Sequence, residues 1–318
     1  MSQGYQRRDR DVVDYALWRA TPDGEDLRGP PPPSLAPKSY FACVGAAQTF
    51  GCFVERPWPA LLAARIGLPA LNLGVAGAGP RLFLEPRWGP LLDAAAFVVF
   101  QVMSGRSADC SRFSSGGRER LTIRADGRTL GADQAWGEAL FADVARWRNP
   151  LVRGVLNRVH ARFGRRDLRR LVEETQADWV ASFRALLDAT RAPKLVLWFG
   201  KRAPRHRPRF HSVPALFGEF PQLVDERMLD AITARADGLV TCVTSRGSPQ
   251  PLRDKKTGAP VVVRPVDAGS GEDPRVVWTH NAYYPSPEMH EDAAEALVAP
   301  CHALRSRVAA RVHSTSRT

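Results

Sequence analysis

Short, continuous apolar runs alternate with longer amphipathic stretches, and this alternation constrains the fold more than any other feature of the sequence. Each run is typical of a strand buried on both faces of a parallel sheet. The five runs are 40–44, 70–73, 97–103, 194–199 and 238–243. Strands that alternate with helices form right-handed βαβ units. The sequence therefore predicts an α/β protein with one open, five-stranded parallel sheet and helices on both faces.

Apolar residues at helical spacing predict the covering helices. The predicted helices are 58–66, 82–92, 133–147, 168–187, 228–236 and 288–308. The helix over 82–92 is the weakest, because Pro86 and Pro90 interrupt its pattern. Two of the helices lie in the interval 104–193, which follows the third predicted strand. This interval is predicted to be a helical cap or insertion within the same domain, since no flexible linker separates it from the sheet.

The two ends of the chain differ in composition from this body. Residues 1–37 form a Pro-rich arm, in which Pro30–Pro33 can neither continue a helix nor donate to a sheet ladder. The apolar pattern from Val12 to Trp18 predicts that the arm docks on the body. Residues 38–308 are predicted to be a single α/β domain, and 309–318 a flexible tail.

The net charge of +12 favours an acidic partner, such as an anionic glycan or another acidic small molecule. Arginine supplies nearly all of the basic residues, however, and only five are lysine, a bias that GC-rich codon usage also produces. One basic cluster spans 146–170 and a second spans 201–209. Neither is interleaved with aromatic residues, and no helix-turn-helix, zinc-finger, RNP or KH pattern occurs. Nucleic acid is therefore not a favoured partner.

The remaining composition predicts a reduced, cytoplasmic protein without metal or cofactor. The five cysteines are Cys43, Cys52, Cys110, Cys242 and Cys301, and none of them form a C-x-x-C pair. No Walker A sequence occurs, nor a strand-linked G-x-G-x-x-G with a trailing acid. The amino terminus lacks the apolar core of a secretory signal, and no apolar run approaches the ~20 residues of a membrane helix.

Ligands of open α/β sheets bind outside the carboxyl ends of the strands, so the segments that follow the strands carry the functional information. After the first strand comes Gly45-Ala-Ala-Gln-Thr-Phe-Gly51, and the second strand leads into Asn72-Leu-Gly-Val-Ala-Gly77. Glycine lets backbone amides approach a ligand closely, although each glycine here is also typical of an ordinary turn. His290 lies near the start of the last predicted helix, just ahead of Ala293-Ala-Glu-Ala-Leu297, where it either contacts a ligand or simply packs under that helix.

These segments resemble the sequence blocks of the SGNH/GDSL hydrolases. The first is similar to G-D-S-x-T-x-G, the second to N-x-G-x-x-G, and His290 to the histidine of D-x-x-H, in the same order over residues 40–297. The resemblance implies a flavodoxin-like fold of the SGNH type and an esterase or acyltransferase acting on O-acyl groups of a carbohydrate. The chain also resembles an uncharacterised family of similar size that opens with an R-G-P element, here Arg28-Gly29-Pro30.

The sequence departs from the SGNH pattern where the chemistry would be. Ala47 occupies the position of the serine nucleophile, Ala46 that of the preceding acid and Pro287 that of the D-x-x-H acid. An alanine methyl cannot attack a carbonyl, so an acyl-enzyme route through this position is closed. The resemblance still implies a base at His290 and an oxyanion site made by the backbone amides of Ala47 and Gly77.

Two functional hypotheses follow, which share one predicted site. In the first, a substrate hydroxyl or a water attacks the acyl group directly, with His290 as the base. In the second, the protein is a non-catalytic binding protein for an anionic glycan or similar acidic ligand. The predicted ligand-binding residues are Gln48, Thr49, Asn72, Gln101, Ser104, Arg106, Lys201 and Arg202.

Overall fold

The structure, a computed structural model, describes residues 2–21, 24–141, 155, 166–264 and 277–315. Its strands are β1 (Phe41–Gly45), β2 (Ala70–Gly74), β3 (Val98–Gln101), β4 (Phe113–Ser114), β5 (Arg120–Ile123), β6 (Thr129–Gly131), β7 (Lys194–Gly200), β8 (Gly238–Val243), β9 (Gln250–Pro251) and β10 (His280–Asn281). Five of them pair in parallel in the order β2-β1-β3-β7-β8. Counted along the sheet's own strands, this is the 2-1-3-4-5 order of flavodoxin-like folds. The predicted five-stranded parallel sheet is confirmed.

The helices are α1 (Ser2–Asp9), α2 (Ala47–Phe50), α3 (Trp58–Ile66), α4 (Gly89–Ala94), α5 (Ala132–Phe141), α6 (Arg166–Ala189), α7 (Val213–Phe217), α8 (Glu226–Thr233) and α9 (Pro287–Thr315). Six helical regions were predicted and are present, most with shifted ends, whereas α1, α2 and α7 were not predicted. The predicted helix over 82–92 divides into a 3₁₀ turn, Pro80–Leu84, and α4, which has Pro90 in its first turn, where proline costs no helical hydrogen bond. Among the described residues, no helix combines the length and apolarity that crossing a membrane requires.

Helices cover both faces of the sheet. One face packs against α4, α6 and α8 through alternate strand residues such as Val44, Phe100 and Trp198. The opposite face packs against α3 and α9 through residues such as Cys43 and Leu197. Successive side chains of a strand point to opposite faces, so one apolar run serves both cores. This explains why the five runs are continuous rather than alternating.

The insertion after β3 is only partly helical. Besides α5 and α6 it contains a three-stranded antiparallel sheet of β4, β5 and β6, which the sequence analysis did not predict. These strands are two to four residues long and carry no sustained alternation, so periodicity gives no signal for them. The end of the predicted helix over 133–147 and most of the basic cluster over 146–170 lie outside the described residues.

The amino-terminal arm packs on the body at the carboxyl end of β1. It begins with α1, and its Val13 and Tyr15 are buried in an apolar cluster shared with the body. The body's residues in this cluster come from the segment after β1 and from the region around β9 and β10. They are Ala47, Phe50, Cys52, Phe53, Leu252, Val263 and Tyr284. We call this the arm cluster.

Candidate functional site

The carboxyl ends of β1 and β2 meet as the sequence analysis predicted. Gly45 pairs with Gly74 in the sheet register, which places α2 directly beside the loop that follows β2. The approach is close: a Cβ atom on Gly74 would lie 2.2 Å from the backbone nitrogen of Phe50. Glycine is required there by packing against α2, rather than by a ligand.

Ala47 lies in a packed apolar environment instead of at the floor of an open pocket. It is the first residue of α2, it is 6% exposed, and it belongs to the arm cluster. The arm contributes Val13 and Tyr15 to this cluster, and Tyr5 packs against it. The resemblance implied an oxyanion site at the Ala47 amide; in the structure Ala47 belongs to the same apolar cluster as Val13 and Tyr15 of the arm.

Arg28 of the R-G-P element fixes the arm in this position. The residue is 3% exposed, and its guanidinium donates hydrogen bonds to the carbonyls of Val54 (3.0 Å) and Glu55 (2.7 Å). It also lies over the ring of Tyr15, 4.7 Å from the ring centroid. Burial lowers the pKa of Arg28. The R-G-P element therefore acts as a structural clamp, which holds the arm against the segment after α2.

His290 is fully buried beside this clamp. Its Nδ1 accepts a hydrogen bond of 3.0 Å from the backbone N–H of Trp58, and its ring packs edge-on against Phe199. Burial, together with the charge of Arg28, lowers the pKa of His290 to about 3. Since Nδ1 is the acceptor, the proton of the neutral ring lies on Nε2. In this arrangement His290 offers no free lone pair with which to take a proton.

Gly77 is held by the insertion. It has a positive φ of 66°, and its carbonyl accepts a hydrogen bond of 2.9 Å from the N–H of Glu119. The next glycine, Gly79, donates to the carbonyl of Gly117 at 2.8 Å. Within the described residues, the amides of Ala47 and Gly77 donate to no backbone acceptor. The two amides of the expected oxyanion site are thus unpaired, but that of Ala47 lies in the arm cluster.

Three of the predicted ligand-binding residues instead hold α2 against the sheet. The Oε1 of Gln101 accepts from the N–H of Ala46 and from the hydroxyl of Thr49, both at 3.1 Å. Asn72 donates to the carbonyl of Thr49 at 2.9 Å and accepts from the N–H of Gly74. All three side chains are more than nine-tenths buried. Their hydrogen-bonding capacity is used internally.

Ser104 and Arg106 also make internal contacts. The Ser104 hydroxyl accepts from the N–H of Arg106 and caps a short 3₁₀ turn. The Arg106 guanidinium donates to Glu119 (2.8 Å), Asp133 (3.1 Å) and the hydroxyl of Tyr283 (3.0 Å). Arg106 therefore ties the insertion to the loop before α9, and it is already paired with two carboxylates.

Arg202 was expected to fork onto an anion, but its guanidinium is occupied by backbone carbonyls. The acceptors are the carbonyls of Ala203, Glu219, Pro221 and Val224. Burial lowers its pKa to about 10. This side chain holds the loop after β7 and is not available to a ligand.

The remaining two predicted residues, Gln48 and Lys201, line a cavity of about 380 Å³ outside the carboxyl ends of β1 and β7. Buried side chains form its floor: Gln48, Phe199, Gln222 and Met289. More exposed residues form its rim: Lys201, Pro214, Glu219, Ala282 and Tyr283. We call this cavity the edge pocket.

Gln48 contributes an unbonded carboxamide to the floor of the edge pocket. The residue is 2% exposed, and its Oε1 has no hydrogen-bond partner in the part of the chain that the structure describes. A buried polar atom without a partner is rare and calls for a physical explanation. Its neighbour Ala47 belongs to the arm cluster, so two adjacent residues of α2 serve two separate regions.

Lys201 is the cation of the edge pocket. Its Nζ donates to the hydroxyl of Ser248 at 2.8 Å and to the carbonyl of Ala282. An ammonium has three N–H donors, so one remains for a ligand. Burial lowers the pKa of Lys201, and the nearby charge of Glu219 partly opposes this shift. An anion bound at Lys201 would act as Glu219 does and raise the pKa of Lys201, because it favours the charged ammonium.

Gln222 and Tyr283 also belong to the edge pocket, and the sequence analysis missed both. Gln222 is 4% exposed; its Nε2 donates to the Tyr283 hydroxyl at 2.9 Å, and its Oε1 has no partner among the described residues. Gln222 lies in an irregular loop that periodicity does not place. Tyr283 is adjacent to the segment 284–290, which the sequence analysis did single out. No group of side chains in the described ranges could hold a metal ion.

The chain belongs to the protein family described as "Domain of unknown function (DUF6473)", which matches residues 3–305. No curated protein matches the chain. Among solved structures, it is similar to an extracellular lipase from Streptomyces rimosus, with 12% identity and a TM-score of 0.38. That match covers 81% of this chain and 98% of the lipase.

A second similar structure is a carbohydrate esterase family 2 enzyme with a carbohydrate-binding domain from Corynascus thermopiles (Myceliophthora fergusii). The identity is 13% and the TM-score 0.36, covering 89% of this chain and 70% of that one. Others are described as hydrolases of the SGNH or GDSL type. At these identities and scores the similarities assign no activity to this chain, and the fold class follows from its own strand order.

Proposed function

We propose that this protein binds a small acidic ligand in the edge pocket and is a non-catalytic binding protein. The observation that carries the proposal is the position of Lys201, a partly desolvated ammonium with a spare donor on the rim of an apolar cavity. Charge-assisted hydrogen bonds are the strong ones, and desolvation strengthens them further. A carboxylate at Lys201 would accept a hydrogen bond from the third N–H of its ammonium group.

The walls of the edge pocket favour a ligand with an apolar body. Phe199 and Met289 lie at the floor, Phe220 in the wall and the Tyr283 ring at the rim. A cavity of about 380 Å³ is at the lower end of the ~300–1,000 Å³ range of small-molecule sites. These features favour an amphipathic carboxylic acid, or a single acidic sugar unit, over a polymeric glycan.

The closed state of the Ala47 region argues against the esterase or acyltransferase hypothesis. That hypothesis needs a free lone pair on His290 and space for an acyl group beside Ala47. The His290 Nδ1 instead accepts from Trp58, and Ala47 is packed in the arm cluster. We also place the protein in the cytoplasm, because all five cysteines are buried as free thiols.

The binding proposal is tested by calorimetric titration with 3-phenylpropionate, an acid with a compact aromatic body. The wild-type protein should bind it, and Lys201→Met should weaken binding about 20-fold, the range for loss of a charge-assisted hydrogen bond. Glu219→Gln should strengthen binding two- to threefold, because it removes a like charge from the rim. Arg227→Gln, which removes an exposed charge from α8, is the matched control and should have no effect.

Two results would overturn the binding proposal. The first is equal affinity of wild-type and Lys201→Met for the acid, which would show that the cation is not the recognition group. The second is turnover of acetylated xylan or p-nitrophenyl acetate that His290→Ala abolishes while the fold persists, which would establish the esterase hypothesis instead.

A further inference from the structure

We propose that the ligand of the edge pocket carries a hydrogen-bonding group, a hydroxyl or an amide, at the end opposite its carboxylate. This inference rests on the proposed binding function and names the chemical class of the ligand. The class is a hydroxylated or amide-bearing carboxylic acid with an apolar centre, which enters the pocket with its polar tip first.

The first support is the Gln48 carboxamide. It lies at the floor, is almost fully buried and has an unpartnered Oε1. The other buried amides at this edge of the sheet, Gln101 and Asn72, have both ends of the side chain bonded within the protein. Gln48 differs from those two in leaving its Oε1 without a partner among the described residues, and it does so beside a cavity, where a ligand can use this capacity.

The second support is Gln222, which also lines the pocket. Its Nε2 is fixed on the Tyr283 hydroxyl, and its Oε1 has no partner in the described ranges. The Tyr283 oxygen accepts from Gln222 and from Arg106, so its own hydrogen is left to donate. Two carboxamides from distant parts of the sequence thus bring unused hydrogen-bonding capacity to one cavity.

The third support is the order of these groups along the pocket. The unpartnered carboxamides belong to buried residues, 2% and 4% exposed, whereas Lys201 and Glu219 lie at the more exposed rim. The apolar side chains Phe199, Phe220 and Met289 line the same pocket. A ligand that matches these groups has its charge at the exposed rim beside Lys201, and an apolar body with a neutral polar group on the buried side.

The experiment compares three acids that differ only at the tip: 3-(4-hydroxyphenyl)propionate, 3-phenylpropionate and 3-(4-methoxyphenyl)propionate. Wild-type protein should bind the phenol about tenfold more tightly than 3-phenylpropionate, since sites built for a hydroxyl reject analogues that lack it. The methoxy acid, which cannot donate, should bind no better than 3-phenylpropionate. Gln48→Met should reduce the preference for the phenol to less than twofold.

Gln134→Met is the matched control, because Gln134 is an exposed glutamine on α5, and it should keep the full preference. Equal binding of all three acids by wild-type protein, with Lys201 still required, would overturn the polar-tip inference and leave the proposed function intact. A preference for the phenol that survives Gln48→Met and Gln222→Met would also overturn it. Binding of none of the acids would contradict both proposals.

Discussion

Adjacent residues of α2 belong to two regions of opposite character. Ala47 belongs to the arm cluster, where the amino-terminal arm and Arg28 close over the end of β1. Gln48 lines the edge pocket, which is open enough to hold a small molecule. Both regions lie at the carboxyl end of the parallel sheet, where ligands of such folds bind. A ligand-sized cavity lies at Gln48, whereas Ala47 is packed among apolar side chains.

The two regions differ in what surrounds their polar groups. In the closed region, Arg28 donates to several backbone carbonyls and lies over an aromatic ring, although its Nε, like the Nε2 of His290, has no partner among the described residues. In the edge pocket, Gln48 and Gln222 are neutral and buried, yet each leaves an oxygen unpartnered among the described residues. Internal pairing indicates a structural role, whereas unused capacity beside a cavity indicates a ligand.

The largest expected effect is on the closed region. Arg28→Ala should lower the free energy of unfolding by about 3 kcal/mol, because it leaves buried carbonyls without donors and removes packing against Tyr15. Chemical denaturation at neutral pH measures the change. Arg227→Ala, at an exposed position, is the control and should stay within about 0.5 kcal/mol of wild type. A loss below 1 kcal/mol for Arg28→Ala would mean that the arm is not clamped.

The buried, neutral His290 should make stability fall in acid. Its pKa is about 3 in the folded protein and ~6.5 when unfolded, so between these values only the unfolded chain binds a proton there. His290 therefore favours folding fully above pH ~6.5, and this contribution is lost as the pH falls towards 3. The slope it adds is about 1.4 kcal/mol per pH unit.

The matched variant for this prediction is His290→Asn, whose side chain can still accept from the Trp58 N–H but does not titrate. Its free energy of unfolding between pH 6 and 4.5 should fall less steeply than that of wild type by that amount. Identical slopes would indicate that His290 is accessible to protons in the folded protein, as a catalytic base would be.

In the edge pocket the sign of the expected stability change is reversed. Gln48→Met should raise the free energy of unfolding of the ligand-free protein by about 1 kcal/mol, because it removes an unpartnered buried amide at nearly constant volume. Thermal unfolding measures the shift, with Gln134→Met as the neutral control. A loss of stability would show that the Gln48 carboxamide has a structural partner within the protein.

The smallest expected effect is a null result at Ala47. Introducing a hydroxyl with Ala47→Ser should produce no turnover of p-nitrophenyl acetate above wild type. The new hydroxyl would lie within the arm cluster, and His290 would have no lone pair with which to activate it. Product formation is measured in assays that are stopped after several hours, so that slow turnover is detected. Turnover that depends on both Ser at position 47 and His290 would mean that the region is open in solution.

Periodicity predicted the five strands of the sheet and the ends of α3 because long apolar runs report burial on both faces of a strand. It did not predict β4 to β6, whose short strands are stabilised by packing against α5 and α6 rather than by their own pattern. Nor did periodicity predict α1, whose residues were assigned only to the Pro-rich arm. Its helical structure lies in the arm, which contacts residues more than two hundred positions away.

For the candidate site, the position of a residue relative to the end of a strand was informative about the edge pocket, whereas its residue type was not. Lys201 directly follows β7, Gln48 lies three residues beyond the end of β1, and both line the edge pocket. Arg106 and Arg202 have the same kind of position, but carboxylates and backbone carbonyls from distant loops occupy them. Such partners are set by tertiary structure, so an arginine's availability cannot be read from its neighbours in sequence.

The most direct measurement of the contrast between the two regions uses the few methionines of the chain. Met289 lines the edge pocket, whereas Met103 and Met228 are buried in the core on the other face of the sheet. In a titration of protein labelled with ¹³C at the methionine methyl groups, 3-(4-hydroxyphenyl)propionate should shift the Met289 resonance and leave those of Met103 and Met228 in place. An unmoved Met289 resonance at saturating acid would contradict binding in the edge pocket.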